Sequence, residues 1–197
     1  SLWDDPPQNL FGCFARSERL VEPATQLLGE EIYHYHSKMM LKEPRTGGAW
    51  EWHQDYGYWY NYGCLRPAMI SCLIALDRAD RENGCLQVLP GSQRLGRIDH
   101  GKVAGQTGAD LERVQVLLEQ GPPTYVECEP GDVLFFDCNL LHRSDANRSD
   151  RSRWSLICCY NARSNSPYEQ VRHSSYKPLE ISRDEQMAAA LAEMVVA

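Results

Sequence analysis

Short apolar and aromatic runs, separated by turns rich in glycine and proline, predict a chain built mainly of β-strands. The apolar run over residues 68–76 is short enough for a buried strand, and residues 32–41 and 50–60 are rich in aromatic side chains, which favours strands. Many short strands with few helices are typical of a barrel or sandwich. Further strands are predicted over 85–89, 125–128, 133–136 and 154–160, and a short helix over 17–28.

Two segments depart from this β pattern. The polar, glycine-spaced stretch 96–121 predicts a long surface insertion with a helical piece near 109–119. Ser182 and Glu185 have the spacing of a capping box, which predicts a C-terminal helix running to about Met194.

Length and charge narrow the class of protein. A chain of 197 residues suits one domain, over residues 1–197, and the missing initiator methionine leads us to expect that some N-terminal residues are absent. The net charge of −7 argues against non-specific binding to nucleic acid or to anionic membranes. No apolar run of about eighteen residues occurs, so no membrane span is expected. A local basic pocket can still bind a small anion.

The eight cysteines form no C-x-x-C pair, and most lie inside apolar runs. This pattern indicates buried free thiols rather than disulfides or a zinc site. It favours a reducing compartment, and we expect a cytoplasmic protein.

A His and an Asp two residues apart carry the clearest chemistry. If the segment is extended, its period of two puts His53 and Asp55 on one face. A distant imidazole, His142, would complete a set of two histidines and one carboxylate. That set leaves coordination positions open and is used by non-haem Fe(II) oxygenases. The pattern therefore predicts iron, O2 and a co-substrate.

Several further motifs follow in a fixed order. They are His53-Gln54-Asp55, Asn83-Gly84-Cys85-Leu86, Pro90-Gly91-Ser92, Pro130-Gly131-Asp132-Val133-Leu134-Phe135-Phe136-Asp137, His142 and Arg153. With this order and these spacings, residues 32–161 resemble the phytanoyl-CoA dioxygenase family of Fe(II)/2-oxoglutarate oxygenases, which includes ectoine hydroxylase. Arg153 follows His142 by the eleven residues usual in that family.

The resemblance implies a fold and a set of ligands. The fold would be an all-β double-stranded β-helix, a cupin-like jelly roll with a few flanking helices. His53, Asp55 and His142 would bind iron, and Arg153 would bind the C5 carboxylate of 2-oxoglutarate. A guanidinium suits that role because it offers two parallel donors and stays charged. Strand alternation would put Arg153, Ser155 and Ile157 on one face, in the barrel interior.

Additional co-substrate contacts are expected near the triad. Ser71 matches a serine that contacts 2-oxoglutarate in ectoine hydroxylase, although a core serine is an equal alternative. His36 and Lys38 lie on the preceding strand, where family members place other co-substrate contacts. Ectoine hydroxylase has amide side chains where this chain has His36 and Met40, so these contacts differ in detail.

The remaining histidines offer rival ligands. His34 and His36 form an H-x-H, but a cupin-type site would need a Glu four or five residues later, where Met40 and Leu41 stand. We interpret His34 as structural. His100 and His173 lie in polar contexts and are expected to be exposed.

Trp59 is a candidate for the substrate pocket. If the strand continues past Asp55, alternation places Trp59 on the same face as Asp55 and Gly57. An aromatic wall there could accept a cationic amine by cation–π attraction.

The leading interpretation is an enzyme that hydroxylates an unactivated C–H of a small-molecule metabolite and releases succinate and CO2. Asp55 favours hydroxylation, since related halogenases have a small residue at that position. The alternatives are a cupin-like protein that binds a metal or ligand without oxidative turnover, or one that uses His34 and His36. The identity of the substrate stays open.

Overall fold

The computed structural model describes residues 2–169 and 172–196, which form strands arranged in two main sheets with flanking helices. The strands are β1 (Leu2–Trp3), β2 (Ile32–Lys42), β3 (Trp50–His53), β4 (Met69–Ala75), β5 (Leu86–Val88), β6 (His100–Val103), β7 (Gln106–Ala109), β8 (Thr124–Val126), β9 (Val133–Asp137), β10 (His142–Ser144) and β11 (Arg153–Ala162). The helices are α1 (Leu10–Ala15), α2 (Glu18–Leu28), α3 (Asp55–Trp59), α4 (Leu111–Gln120) and α5 (Asp184–Val196).

Antiparallel pairing builds both sheets. The larger sheet has the order β1-β2-β11-β4-β9, and the smaller has the order β3-β10-β5-β8. The strands β6 and β7 form a separate hairpin. Neighbours in the sheets are distant in sequence, so the chain crosses between the two sheets repeatedly, and residues far apart meet in the space between them.

The larger sheet is covered on both faces, by helices on one side and by the smaller sheet on the other, so its central strands are continuously apolar. All of β4 is buried, because its two faces contact different partners. The outer core contains Ile70, Cys72 and Ile74 of β4, Leu156, Cys158 and Tyr160 of β11, and Leu20, Val21 and Ala24 of α2. The alternate residues of these strands face inward, toward the smaller sheet.

The strand predicted over residues 50–60 is wrong beyond His53. Its partner β10 begins at His142, directly opposite His53, so no described residue of β10 lies opposite the chain beyond His53 for β3 to pair with. The chain turns instead into α3, with Asp55 in the first helical turn, where a carboxylate is favoured by the helix dipole. The period-two argument that placed Trp59 beside Asp55 therefore does not apply.

The insertion over 96–121 was expected to lie on the surface, but part of it packs into the core. It forms the β6–β7 hairpin and α4, and its apolar residues close a third core cluster with residues of β3 and the loops beside β5 and β10. The buried members of that cluster are Trp52, Leu89, Ile98, Ala109, Val114 and Leu141.

The predicted capping box is displaced. α5 begins at Asp184, and the Gln186 side-chain oxygen accepts a hydrogen bond from the backbone N–H of Arg183. Ser182 is not the cap, because it lies two residues before the helix; its hydroxyl accepts a hydrogen bond from Arg16 Nε, and its backbone pairs with Ser17 as an isolated β-bridge.

All eight cysteines are free, and seven of them are buried. None of the helices formed by residues 2–169 and 172–196 combines the length and apolar character that crossing a bilayer requires.

Candidate active site

Two strands and a helix bring the three predicted metal ligands together. His53 ends β3 and His142 begins β10, and the two pair directly across the sheet with ring centroids 4.1 Å apart. Asp55 opens α3 two residues later. All three side chains are buried, and their potential ligand atoms lie within 4.8 Å of one another.

Backbone carbonyls orient both imidazoles. The Nδ1 of His53 lies 2.7 Å from the carbonyl oxygen of Glu51, and the Nδ1 of His142 lies 2.9 Å from that of Leu140. Because a carbonyl can only accept, each Nδ1 carries the proton and donates. The Nε2 lone pair of each ring is thus left free for a metal, the arrangement typical of metal-binding histidines.

The protonation states suit a divalent cation. Burial and the neighbouring His142 lower the pKa of His53 to about 3, and burial lowers the pKa of His142 as well. For Asp55, burial works to raise the pKa, but His142, Lys38 and a 2.6 Å hydrogen bond from Ser71 Oγ outweigh it and bring it to about 2. At neutral pH the site therefore offers two neutral imidazoles and one carboxylate, the donor set of a facial triad.

A cavity of about 480 Å³ opens between the two sheets beside these residues. Its lining residues come from nine strands, β1 to β5, β7 and β9 to β11, and from α3, together with Tyr62, Arg172 and His173. Such a volume is in the range of small-molecule sites. The triad contributes one polar part of the lining and Arg153 another.

Arg153 is a buried cation that has no counter-ion among the described residues. The residue is 5% exposed, Nη1 donates to Ser155 Oγ at 3.1 Å, and Nε has no hydrogen-bond partner in the described part of the chain. Burial lowers its pKa to about 10, so it remains charged at neutral pH. A buried guanidinium without an ion-pair partner among the described residues, on the wall of a cavity, fits an anionic ligand.

Some of the other predicted site residues line the cavity, and Ser71 instead contacts a predicted metal ligand. His36, Lys38 and Trp59 line the cavity, and Trp59 does so from the end of α3 rather than from a strand. Ser71 is fully buried on β4 and donates to Asp55, and it is not part of the cavity lining. Its contact with 2-oxoglutarate stays a prediction.

The expectation that His100 and His173 are solvent-exposed is wrong. His173 is 6% exposed, stacks on His36 with centroids 4.6 Å apart, and lies 2.6 Å from a carboxylate oxygen of Asp4. His100 is partly buried against the turn between His53 and Asp55. Their polar sequence neighbours concealed this, because the partners come from distant segments. His34 is buried and hydrogen-bonded to the backbone of Asp4, consistent with a structural residue.

Tyr58 was missed by the sequence analysis. Its ring meets His53 edge-on at 5.7 Å and lines the cavity, and its hydroxyl donates to the carbonyl of Thr107 at 2.6 Å. Its position three residues after Asp55 was the available signal, but in the strand predicted over residues 50–60 an odd spacing puts Tyr58 on the face opposite Asp55.

Comparison with known proteins agrees with this geometry. Residues 3–155 match the phytanoyl-CoA dioxygenase (PhyH) family. The chain belongs to this family. It is 32% identical over 185 residues to the L-proline trans-4-hydroxylase of Streptomyces griseoviridis, covering 86% of this chain and 68% of that protein. It is also 32% identical over 168 residues to the ectoine dioxygenase of Bordetella bronchiseptica, covering 79% of this chain and 54% of that protein.

A solved structure shows the same fold. EctD from S. alaskensis, determined with 2-oxoglutarate and 5-hydroxyectoine, is 27% identical and superposes with a TM-score of 0.78 over 88% of this chain and 64% of that chain. A second EctD structure contains bound Fe. The predictions of the family, of the jelly-roll fold, and of iron, 2-oxoglutarate and O2 as the family's cofactors are thereby confirmed. The chain spans between about half and two thirds of the length of these relatives.

Proposed function

We propose that this chain is an Fe(II)- and 2-oxoglutarate-dependent dioxygenase that hydroxylates a C–H bond of a small metabolite. The observation that carries the proposal is the pairing, in one cavity, of a buried His-Asp-His set with a buried arginine that has no counter-ion among residues 2–169 and 172–196. A metal-binding protein that does not use 2-oxoglutarate would not need the buried arginine.

The metal ligands would be His53, Asp55 and His142. An iron(II) ion held there would supply O2 activation coupled to the oxidative decarboxylation of 2-oxoglutarate to succinate and CO2. The chain's own contribution is to keep both imidazoles neutral and their Nε2 atoms free, through the carbonyls of Glu51 and Leu140. Ser71 holds the Asp55 carboxylate in place by its hydrogen bond.

Arg153 would bind the distal carboxylate of 2-oxoglutarate. Its Nη1 is oriented by Ser155, while its Nε has no partner within the described part of the chain. Lys38 and His36 also line the cavity and are candidates for further co-substrate contacts. A desolvated pair between a guanidinium and a carboxylate is favourable here because the charge is already buried.

The substrate would occupy the remaining aromatic part of the cavity, lined by Trp59, Tyr58 and Tyr62. These rings exclude water and orient the substrate, and Trp59 could contact a cationic amine. The similarity to proline and ectoine hydroxylases supports a substrate of amino-acid size. Asp55 supports hydroxylation over halogenation, and the eight free cysteines support a reducing, cytoplasmic location.

Anaerobic titration with Fe(II) and then 2-oxoglutarate tests the proposal. We expect a visible metal-to-ligand charge-transfer band in the wild-type protein, and succinate release when a panel of small amino acids and cyclic solutes, including proline and ectoine, is added with O2. Asp55→Ala should abolish hydroxylation. The matched control is Asp150→Ala, which removes an exposed carboxylate and should leave the band and turnover unchanged.

The absence of both the band and the succinate would favour the alternative, a cupin-like protein that binds ligand without oxidative turnover. Full hydroxylation by Asp55→Ala would show that the triad assignment is wrong.

A further inference from the structure

The short turn between His53 and Asp55 is held from outside by a histidine of the insertion. His100 Nε2 accepts a hydrogen bond from the backbone N–H of Gln54 at 2.9 Å, and its Nδ1 donates to the carbonyl of Ile98 at 2.8 Å. An amide N–H can only donate and a carbonyl can only accept, so the ring is neutral with its proton on Nδ1. Both nitrogens are therefore used, and in one orientation only.

The helix opposite this ring is shaped to receive it. A Cβ atom at Gly57 would lie 2.1 Å from Cε1 of His100, so any larger residue would displace the imidazole. Glycine is unfavourable inside a helix, and here its missing side chain makes room for the ring. The His100 ring also packs edge-on against Tyr58, with centroids 5.6 Å apart.

The side chain of Gln54 also binds the turn between His53 and Asp55 to the insertion. It is fully buried, and its Oε1 accepts from the backbone N–H of Ile98 at 2.7 Å. Its Nε2 donates to the carbonyls of Gly96 at 2.8 Å and Asn139 at 2.7 Å. The residue between two metal ligands is thus tied by its backbone and side chain to the insertion, and also to the loop that precedes His142.

This connection lies where the backbone changes conformation. β3 ends at His53 and α3 begins at Asp55, so Gln54 is the extended residue joining them. Its backbone dihedral angles set the relative direction of the His53 and Asp55 side chains. Since the strand does not continue, the Gln54 N–H takes its acceptor from His100.

We propose that His100 is a positioning residue for the metal site, which fixes the angle between His53 and Asp55 by accepting the hydrogen bond of Gln54. The proposal rests on the proposed function, in that the triad must bind a metal. It makes the insertion a determinant of metal affinity, although the insertion supplies no ligand. Loss of such a supporting contact typically weakens metal binding by about 10- to 100-fold.

Co(II) binding to the metal-free protein tests this without turnover. His100→Leu removes the acceptor, and His100→Gln keeps a side-chain oxygen that can accept from Gln54. We expect His100→Leu to raise the Co(II) dissociation constant by about 10- to 100-fold and to alter the visible Co(II) spectrum at saturation, and His100→Gln to recover part of the affinity. Gly57→Ala should weaken Co(II) binding too, because it displaces the ring with His100 intact. Lys102→Ala, at an exposed position of the same hairpin, is the matched control and should bind as wild type.

The outcomes separate the two proposals. Failure of the wild-type protein to bind Co(II) would count against the proposed function itself. Wild-type affinity and spectrum in folded His100→Leu and in Gly57→Ala would overturn only the role of His100. If His100→Leu does not fold, as judged by circular dichroism, the Co(II) affinities of Gly57→Ala and His100→Gln test the role of His100. Wild-type affinity in Gly57→Ala, or a loss in His100→Gln as large as that in a folded His100→Leu, would also overturn it.

Discussion

Replacing Arg153 with methionine should have opposite effects on the free protein and on its complex with 2-oxoglutarate. In the free protein this guanidinium is buried without a carboxylate partner among the described residues, and burial lowers its pKa from 12.5 to about 10. At about 1.4 kcal/mol per pH unit, burying the charge costs about 3 kcal/mol. The folded pKa lies below the unfolded one and both lie above neutrality, so the whole cost is present at pH 7.

The expected gain in stability follows from that cost. Arg153→Met also removes the hydrogen bond to Ser155, which contributes about 1 kcal/mol. A net stabilisation of about 2 kcal/mol remains, and this raises the melting temperature of a chain of this size by about 4–8 °C. Methionine suits the site because it keeps much of the apolar stem of arginine.

The complex should respond in the opposite direction. At a 2-oxoglutarate concentration of about 100 times the dissociation constant, ligand binding stabilises the wild-type protein by about 2.7 kcal/mol. Losing one partner of a buried charge pair costs at least about 2 kcal/mol, or about 30-fold in affinity. The stabilisation of Arg153→Met by the same ligand concentration then falls below about 1 kcal/mol.

Thermal unfolding of the metal-free protein and of the Mn(II)-loaded protein with 2-oxoglutarate measures both effects. Arg151→Met is the matched control, because Arg151 is exposed and already paired with Asp80 and Glu82. It should leave both melting temperatures almost unchanged. The reasoning is refuted if Arg153→Met lowers the melting temperature of the free protein and keeps the wild-type response to 2-oxoglutarate.

Three further predictions concern the support of the site and the core. His34 is buried with its pKa lowered from 6.5 to about 4, so the unfolded chain takes up this proton before the folded chain does as the pH falls. His34 should therefore contribute about 2 kcal/mol to the fall in the free energy of unfolding between neutrality and pH 5, and His34→Asn should reduce that fall by this amount. Ser71→Ala should leave the fold intact but weaken Co(II) binding by about tenfold or more, since Asp55 loses a 2.6 Å hydrogen bond; affinity equal to wild type would show that this contact is dispensable. Tyr160→Phe should lower the free energy of unfolding by about 1–3 kcal/mol in urea titrations, because the carbonyl of Ala15 loses its buried donor, and an unchanged midpoint would contradict this.

The candidate ligands of the site could be predicted from the sequence because they depend on residue type and spacing, and the structure brings the three predicted metal ligands together. His53, Asp55, His142 and Arg153 belong to motifs whose order survives any error in the secondary structure. The alternating and continuous apolar runs likewise predicted most strands, since burial on one face or two leaves a pattern that is local in the chain.

The contacts that hold the site residues in place could not be predicted from the sequence, because each depends on a partner far away in the chain. Aromatic residues after His53 favoured a strand, but β10 ends that pairing at His142 and the chain turns into α3. His100 and His173 looked exposed because their own neighbours are polar, yet Gln54 and Asp4 complete their hydrogen bonds.

The sequence alone therefore determined which candidate ligand atoms the chain carries, because the chemistry of a side chain is the same in any conformation. Only the tertiary structure determined how those atoms are oriented relative to one another. The relative direction of His53 and Asp55 depends on a backbone turn at Gln54, and that turn is held by Ile98 and His100, 44 and 46 residues downstream. Hydrogen bonds of this kind are set by the packing of distant segments, which no local pattern records.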